Sequence, residues 1–211
     1  NNIKVIPNPT DLTRFQKANG DWVKQEYHLS QEKLLINIGR VAPEKNLELL
    51  LQSFRLMRAK THESIKLMIV GDGPALNGLK QCAADLGIAD GVIFTGMINP
   101  SQVPDYLAAA DLFVMTSKSE VKPLAQLEAF AAGVPIVAVA AAGANDTITD
   151  GENGLLVAED AAIIAQGVMG LLGNPEQFAR FKRGALATAE NYSYQRIAGE
   201  YLQLFNQVLR R

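Results

Sequence analysis

The chain reads as an α/β protein, a doubly wound, Rossmann-like parallel sheet flanked by helices. Three observations predict this class. Strand-like and helix-like segments alternate along the 211 residues. Several internal strand-like runs are apolar at nearly every position, which suits a sheet buried on both faces rather than one with a wet face. Gly and Pro punctuate the junctions, as right-handed βαβ units require.

Each element follows from its own residues. Ile3–Ile6 is expected to be a short strand, stopped by Pro7-Asn8-Pro9. Lys33–Ile38 is the next strand and ends at Gly39. Leu47, Leu50, Leu51, Phe54 and Met57 then recur at helical spacing, so Asn46–Ala59 is an amphipathic helix. Lys66–Val70 runs into Gly71-Asp72-Gly73-Pro74. Pro74 is expected in the first turn of a helix carrying Leu76, Leu79, Cys82, Ala83 and Leu86, which Gly87 stops. Val92–Thr95 is a strand and Ser101–Ala109 a helix. Asp111–Met115, Pro123–Ala132 and Pro135–Val139 repeat the unit, and Gly154–Val157 is the last strand. Asp160–Leu172, Pro175–Asn191 and Tyr194–Leu209 are three closing helices. With no internal linker, repeat or low-complexity tract, residues 1–211 read as one domain.

Composition narrows the function. The net charge is −2, and a dedicated nucleic-acid binder needs a basic excess or stripe instead. Cys82 is the single cysteine, so an internal disulfide and a Cys-rich metal site are excluded. His28 and His62 are the two histidines, and neither has a second ligand at metal spacing. No metal and no cofactor are expected. The longest near-apolar run, Gly133 to Ala144, falls short of the roughly 20 residues that cross a bilayer. No signal peptide is read in the opening residues, and a start other than Met suggests processing or a piece of something longer.

Ligands of such sheets bind beyond the carboxyl ends of the strands. Gly71-Asp72-Gly73-Pro74-Ala75-Leu76 follows a strand and opens a helix, but Leu76 stands where a dinucleotide fingerprint has its third glycine. Pro74 also removes an amide donor. A tight turn accounts for these glycines, and an oxidoreductase is disfavoured. Gly39-Arg40…Lys45-Asn46 places two cations between a strand end and a helix start, which suits a diphosphate. The alternative is two solvated cations, with Lys45 paired to Glu44 or Glu48. Glu120 and Glu128 stand eight residues apart, a helical advance of about 12 Å, so they address separate parts of one ligand. Glu128 lies among Leu127, Ala129 and Phe130, where a carboxylate needs a hydrogen-bond partner. Vicinal sugar hydroxyls would serve, as would a nearby amide or Lys.

The segments Gly39-Arg40…Glu44-Lys45-Asn46, Val70-Gly71-Asp72-Gly73-Pro74, Phe94-Thr95-Gly96 and the Glu120/Glu128 pair occur in this order and spacing. Glu128-Ala129…Ala132-Gly133-Val134-Pro135 and Gly151-Glu152-Asn153-Gly154-Leu155-Leu156-Val157 follow. Together they resemble the carboxyl-terminal, donor-binding domain of family 4 (group 1) retaining glycosyltransferases, one half of the two-domain GT-B fold. Val5-Ile6-Pro7-Asn8 and Phe15 resemble the segment leading into that domain. The resemblance implies that Arg40 and Lys45 hold the diphosphate of a UDP- or GDP-sugar and that Glu128 takes the ribose hydroxyls. It implies Glu120 at the donor sugar, the Leu124 amide at a phosphate oxygen and the backbone near Met97 at the nucleobase. Glu120, Arg40 and Lys45 would be the catalytic set. Transfer would retain the anomeric configuration, with charge on the leaving diphosphate stabilised electrostatically. The implied location is cytoplasmic, with peripheral contact at the inner membrane face.

Two departures stand out. Val121-Lys122-Pro123 replaces the family's usual Gly-aromatic-Gly stretch, and Pro123 has no amide to offer the donor. Asp146 replaces a usual Glu. The resemblance leaves the amino-terminal acceptor domain unaccounted for, so the chain is expected to be a fragment that binds a nucleotide and transfers little sugar alone. A non-catalytic nucleotide-binding or regulatory module on the same fold is the competing reading. In the closing helices, Arg180, Lys182 and Arg183 stand beside Phe178 and Phe181. A surface helix with an apolar inner stripe explains that pattern, and contact with anionic lipid is its alternative. Base, sugar and acceptor are not legible in the sequence.

Overall fold

The computed structural model describes residues 3–60, 64–118 and 124–209. Among them, β1 (Lys33–Ile38), β2 (Ile65–Val70), β3 (Val92–Gly96), β4 (Leu112–Met115), β5 (Ile136–Val139) and β6 (Gly154–Val157) form one sheet. Their order is β3-β2-β1-β4-β5-β6, and every pairing is parallel. The chain therefore reverses its direction of travel between β1 and β4. That is the switch point, where loops diverge and open a crevice.

The strands are largely apolar because side chains alternate between two buried layers. On one face Leu35, Leu67, Ile69, Leu112, Val114, Val137 and Val139 meet α3 (Leu47–Lys60), α4 (Leu76–Asp85) and α7 (Ala161–Leu172). On the other, Leu34, Ile36, Met68, Phe113, Met115, Ile136 and Ala138 meet α1 (Leu12–Gln16), α2 (Asp21–Glu26), α5 (Val103–Ala109) and α6 (Leu124–Ala131). The helix α8 (Pro175–Glu190) serves both, with Phe181 in the first layer and Ala185 and Ala189 in the second. Truncating a buried Phe such as Phe54 or Phe130 to Ala would cost about 3–5 kcal/mol.

One polar residue interrupts β1. β1 and β4 pair only at Leu35↔Leu112 and Ile36↔Phe113. One residue further on, the buried Asn37 donates its Nδ2 to the Val114 carbonyl at 2.8 Å. A side-chain amide thus bonds across to β4 where the pairing ends, just below the crevice.

The structure corrects three details of the sequence reading. Ile3–Ile6 is not a strand; Ile3 and Val5 are exposed, and the chain first bridges the rest of the protein at Thr10↔Ser193. Pro7 and Pro9 flank that segment without backbone donors. Two short helices, α1 and α2, fill the interval before β1. Asp11 caps α1 by accepting from the Thr13 and Arg14 amides. The Asp105 carboxylate accepts from the Asn19 amide at 3.1 Å and from Trp22 Nε1 at 2.8 Å, tying this segment to α5. Finally, α4 begins at Leu76, so Pro74 lies in the preceding turn.

The remaining boundaries agree with the sequence to within a few residues. Gly133, at φ +67°, closes α6 with its amide on Phe130 and the Val134 amide on Ala129, both at 2.9 Å. The helix α8 shows the apolar inner stripe expected of a surface helix, and Arg180 sits over the Phe181 ring. The last helix, α9 (Tyr194–Leu209), buries only Ile197 and leaves Leu202, Phe205, Val208 and Leu209 exposed. No described helix is long and apolar enough to cross a membrane.

Candidate donor-binding site

The crevice is built from backbone first. The loops after β1, β2 and β3 are laced together: Gly39 donates to Val70, Val41 to Asp72, Ala75 to Val41 and Gly71 to Gly96, at 2.9–3.1 Å. Gly71 is at φ +130°, and a Cβ there would stand 2.0 Å from the Gly39 carbonyl oxygen. Its glycine is a packing requirement between loops, in keeping with the tight turn expected. A hollow of about 280 Å³ lies over these strand ends, lined by Ile38, Gly39, Arg40, Val70, Gly71, Asp72, Met97 and Ile98. Arg40 and Met97, singled out separately in the sequence, share it. Met97 is 82% exposed, so a flat apolar group could rest on it.

The cationic loop forms a 3-10 turn over Pro43–Lys45 that ends at Asn46 in the left-handed region, φ +52°. Arg40 Nη2 bonds Glu44 Oε1 at 2.6 Å. That contact holds the Glu44 carboxyl below its usual range. The Lys45 carbonyl accepts from Thr116 Oγ1 at 3.0 Å, and the Lys118 amide donates to the Glu44 carbonyl at 3.2 Å. These bonds fasten the loops after β1 and β4 across the switch point.

Glu159, which the sequence reading passed over, is a further fastener. Its Oε1 accepts from Asn46 Nδ2 and pairs with Lys118 Nζ, each at 3.0 Å. The signal for it in sequence is its place two residues after β6, at the carboxyl edge of the sheet.

Helix α6 begins at Leu124, half exposed. Amides in the first turn of a helix have no intrahelical partner, so the Leu124 N–H is of the kind that binds anions. Glu128 is half-buried one turn further along, and burial pushes its carboxyl up while Arg14 partly offsets this. Among the described residues the Glu128 carboxylate has no hydrogen-bond partner, so the amide or Lys considered as its ordinary partner is not found. Gln126 is fully buried with neither Oε1 nor Nε2 bonded to a described residue. Glu120 and the Val121-Lys122-Pro123 departure lie outside the described residues. No group of His, Cys, Asp and Glu among the described residues could hold a metal ion.

The fold is that of one Rossmann-like half of a GT-B protein. The family profile for glycosyl transferases group 1 matches residues 20–187, and the chain belongs to that family. It is 38% identical over 157 residues to the alpha-monoglucosyldiacylglycerol synthase of Streptococcus pneumoniae, covering 70% of this chain and 34% of that protein. It is 31% identical over 216 residues to the D-inositol 3-phosphate glycosyltransferase of Nocardia farcinica, covering 98% of this chain and 48% of that protein. The chain thus spans about half the length, or less, of these relatives. Among solved structures, Anabaena HepE in complex with UDP and glucose superposes with a TM-score of 0.87 at 22% identity, over 97% of this chain and 57% of that one. The sucrose-phosphate synthase of Thermosynechococcus elongatus gives 0.83 at 25% identity, over 98% and 53%.

Proposed function

We propose that this chain is the donor-binding domain of a retaining glycosyltransferase that moves a sugar from a nucleoside diphosphate to an acceptor. The observation that carries the reading is the hollow shared by Arg40 and Met97 at the ends of β1, β2 and β3. The nucleobase rests at Met97, the ribose hydroxyls donate to Glu128, and the diphosphate lies between Arg40, Lys45 and the Leu124 amide. Glu120 holds the donor sugar. As the bond from sugar to diphosphate breaks, negative charge grows on the leaving phosphate. Two cations and a helix N-terminus fixed in place beforehand stabilise that charge without reorganising.

The relatives support the substrate class. Their names include a glucosyl-lipid synthase and a GDP-mannose-dependent mannosyltransferase of phosphatidylinositol monomannoside, and a HepE structure holds UDP-glucose. These favour a transferase over a non-catalytic module. The exposed apolar stripe of α9, with Ile3 and Val5, supports the reading that an acceptor-binding domain completes the enzyme and packs there. The basic Arg180, Lys182 and Arg183 on α8, and relatives acting on lipids, support a cytoplasmic place with contact at the inner membrane face.

A thermal-shift panel of uridine, guanosine and adenosine diphosphates and their sugars tests the site. A ligand at 100 times its Kd stabilises by about 2.7 kcal/mol, so the true donor raises Tm and R40A, K45A and E128A abolish the rise. A rise that survives all three substitutions refutes the assignment.

A further inference from the structure

Arg14 belongs to no motif, yet its short helix packs on both the helix that follows the Met97 loop and the helix that carries Glu128. Helix α1 is held by its Asp11 cap and the buried Phe15, and it packs on both α5 and α6. From there Arg14 Nη2 reaches the carbonyls of Pro100 at 3.2 Å and Ser101 at 3.4 Å. Those carbonyls end the loop after β3, the loop that carries Met97. That loop is turned by Asn99, whose side chain accepts from the Ser101 amide at 2.9 Å, and by Gln102, which accepts from the Asn99 amide at 3.2 Å. Four residues beyond Pro100 stands Pro104, which has no N–H to offer its carbonyl. An outside donor therefore suits that position. The same Arg14 is the one charged group among the described residues that acts on the Glu128 carboxyl, and the neighbouring α5, α8 and β5 contribute none.

We propose that Arg14 is a positioning residue of the nucleotide site, joining the loop that carries Met97 to the helix that carries Glu128. It sets the distance between the base wall and the ribose acceptor, and it supplies the positive field under which Glu128 meets the ribose hydroxyls as a carboxylate. This rests on the donor-site reading above.

The test uses R14A and R14K in the chain as it stands. UDP-glucose and GDP-mannose are the probes, because their doubly esterified diphosphates do not titrate between pH 5 and 8. Calorimetric titration of whichever binds should show R14A weakening affinity roughly three- to tenfold, less than one lost charge-assisted contact would cost, because Arg14 acts through the loop rather than on the ligand. Affinity should fade on acidification as Glu128 takes up a proton. The midpoint of that loss should move to higher pH in R14A and stay in place in R14K, which keeps the charge. Whatever weaker binding E128Q retains should be independent of pH. Unliganded R14A should also exchange the amides of residues 97–102 faster. An R14A protein with unchanged affinity, unchanged midpoint and unchanged exchange overturns the proposal. If neither probe binds the unaltered protein, the donor-site reading fails, while the exchange measurement still decides whether Arg14 holds the loop.

Discussion

The clearest consequence of the site is that Glu128 makes the empty protein less stable. Its carboxylate is half-buried on an apolar helix and has no hydrogen-bond partner among the described residues. A buried polar group left unsatisfied costs about 1–3 kcal/mol, and partial exposure places Glu128 near the lower end. E128Q keeps the shape and removes the charge. At pH 7 it should stabilise the unliganded chain by about 1 kcal/mol, which for this size raises Tm by about 2–4 °C. The pH dependence has a definite sign. Burial raises the folded carboxyl above its unfolded value, so the folded state binds the proton more tightly. The Glu128 contribution to stability is therefore most favourable below the ordinary carboxyl pKa and is lost as pH rises through the raised one. The gap between E128Q and the unaltered protein should open over that window. Differential scanning fluorimetry from pH 4 to 8, with and without a nucleotide sugar, reads both effects. E128Q should gain in the empty state and lose the ligand-induced rise. An E128Q protein less stable than its parent at pH 7, or one that keeps the full ligand response, refutes this account.

Other consequences follow from the same geometry. G71A should drive a Cβ into the Gly39 carbonyl, cost about 3 kcal/mol or more, and eliminate nucleotide binding in any protein that still folds, as chemical denaturation and titration would show. Q126M replaces a buried amide that has no described partner with a side chain of similar volume, and should raise stability by about 1 kcal/mol in urea melts. E44Q releases Arg40 from its partner, and should tighten binding of a nucleoside diphosphate several-fold at low salt while the advantage shrinks as salt is added.

The sheet was legible because burial on both faces leaves no choice in composition: Lys33–Ile38 and Ile65–Val70 are apolar runs that could not face water. Helices with a sustained period, such as α3 and α9, were equally plain. Helices α1 and α2 were not, since five or six residues carry too little periodicity. They persist through distant contacts, Phe15 and Val23 in the core and Trp22 on Asp105. Ile3–Ile6 failed for the complementary reason, a strand-like composition without a strand beside it. In the site, Arg40 stood out because position at a strand end is itself a sequence feature, whereas Met97 was singled out only through the family resemblance. Arg14 and Glu159 did not stand out, because each acts on residues distant in the chain, Arg14 on Pro100 and Ser101 and Glu159 on Asn46 and Lys118.

The cations of the crevice are held in a particular way. Arg40 leans on Glu44 and Lys118 on Glu159, and all four side chains are substantially exposed. Exposed pairs of this kind are worth only about 0–1 kcal/mol, so neither carboxylate holds its cation firmly. They do bias where each cation stands, and Glu159 does so while bonding Asn46 in the facing loop. On the proposed reading, a diphosphate brings two negative charges into the same crevice and meets the Leu124 amide, which has no intrahelical partner in the first turn of α6. It can therefore take the place of a weak carboxylate partner at small cost, while the backbone lacing of the loops keeps the cations in position. The exchange is one of anion for anion at a preformed place. On the proposed donor-site reading, selectivity then comes from the parts that are not exchanged: the exposed apolar Met97 and the Glu128 carboxylate, which has no hydrogen-bond partner among the described residues. The first rewards a flat ring, the second a pair of hydroxyls, and only a ligand carrying both at the right separation from its phosphates satisfies all of them together.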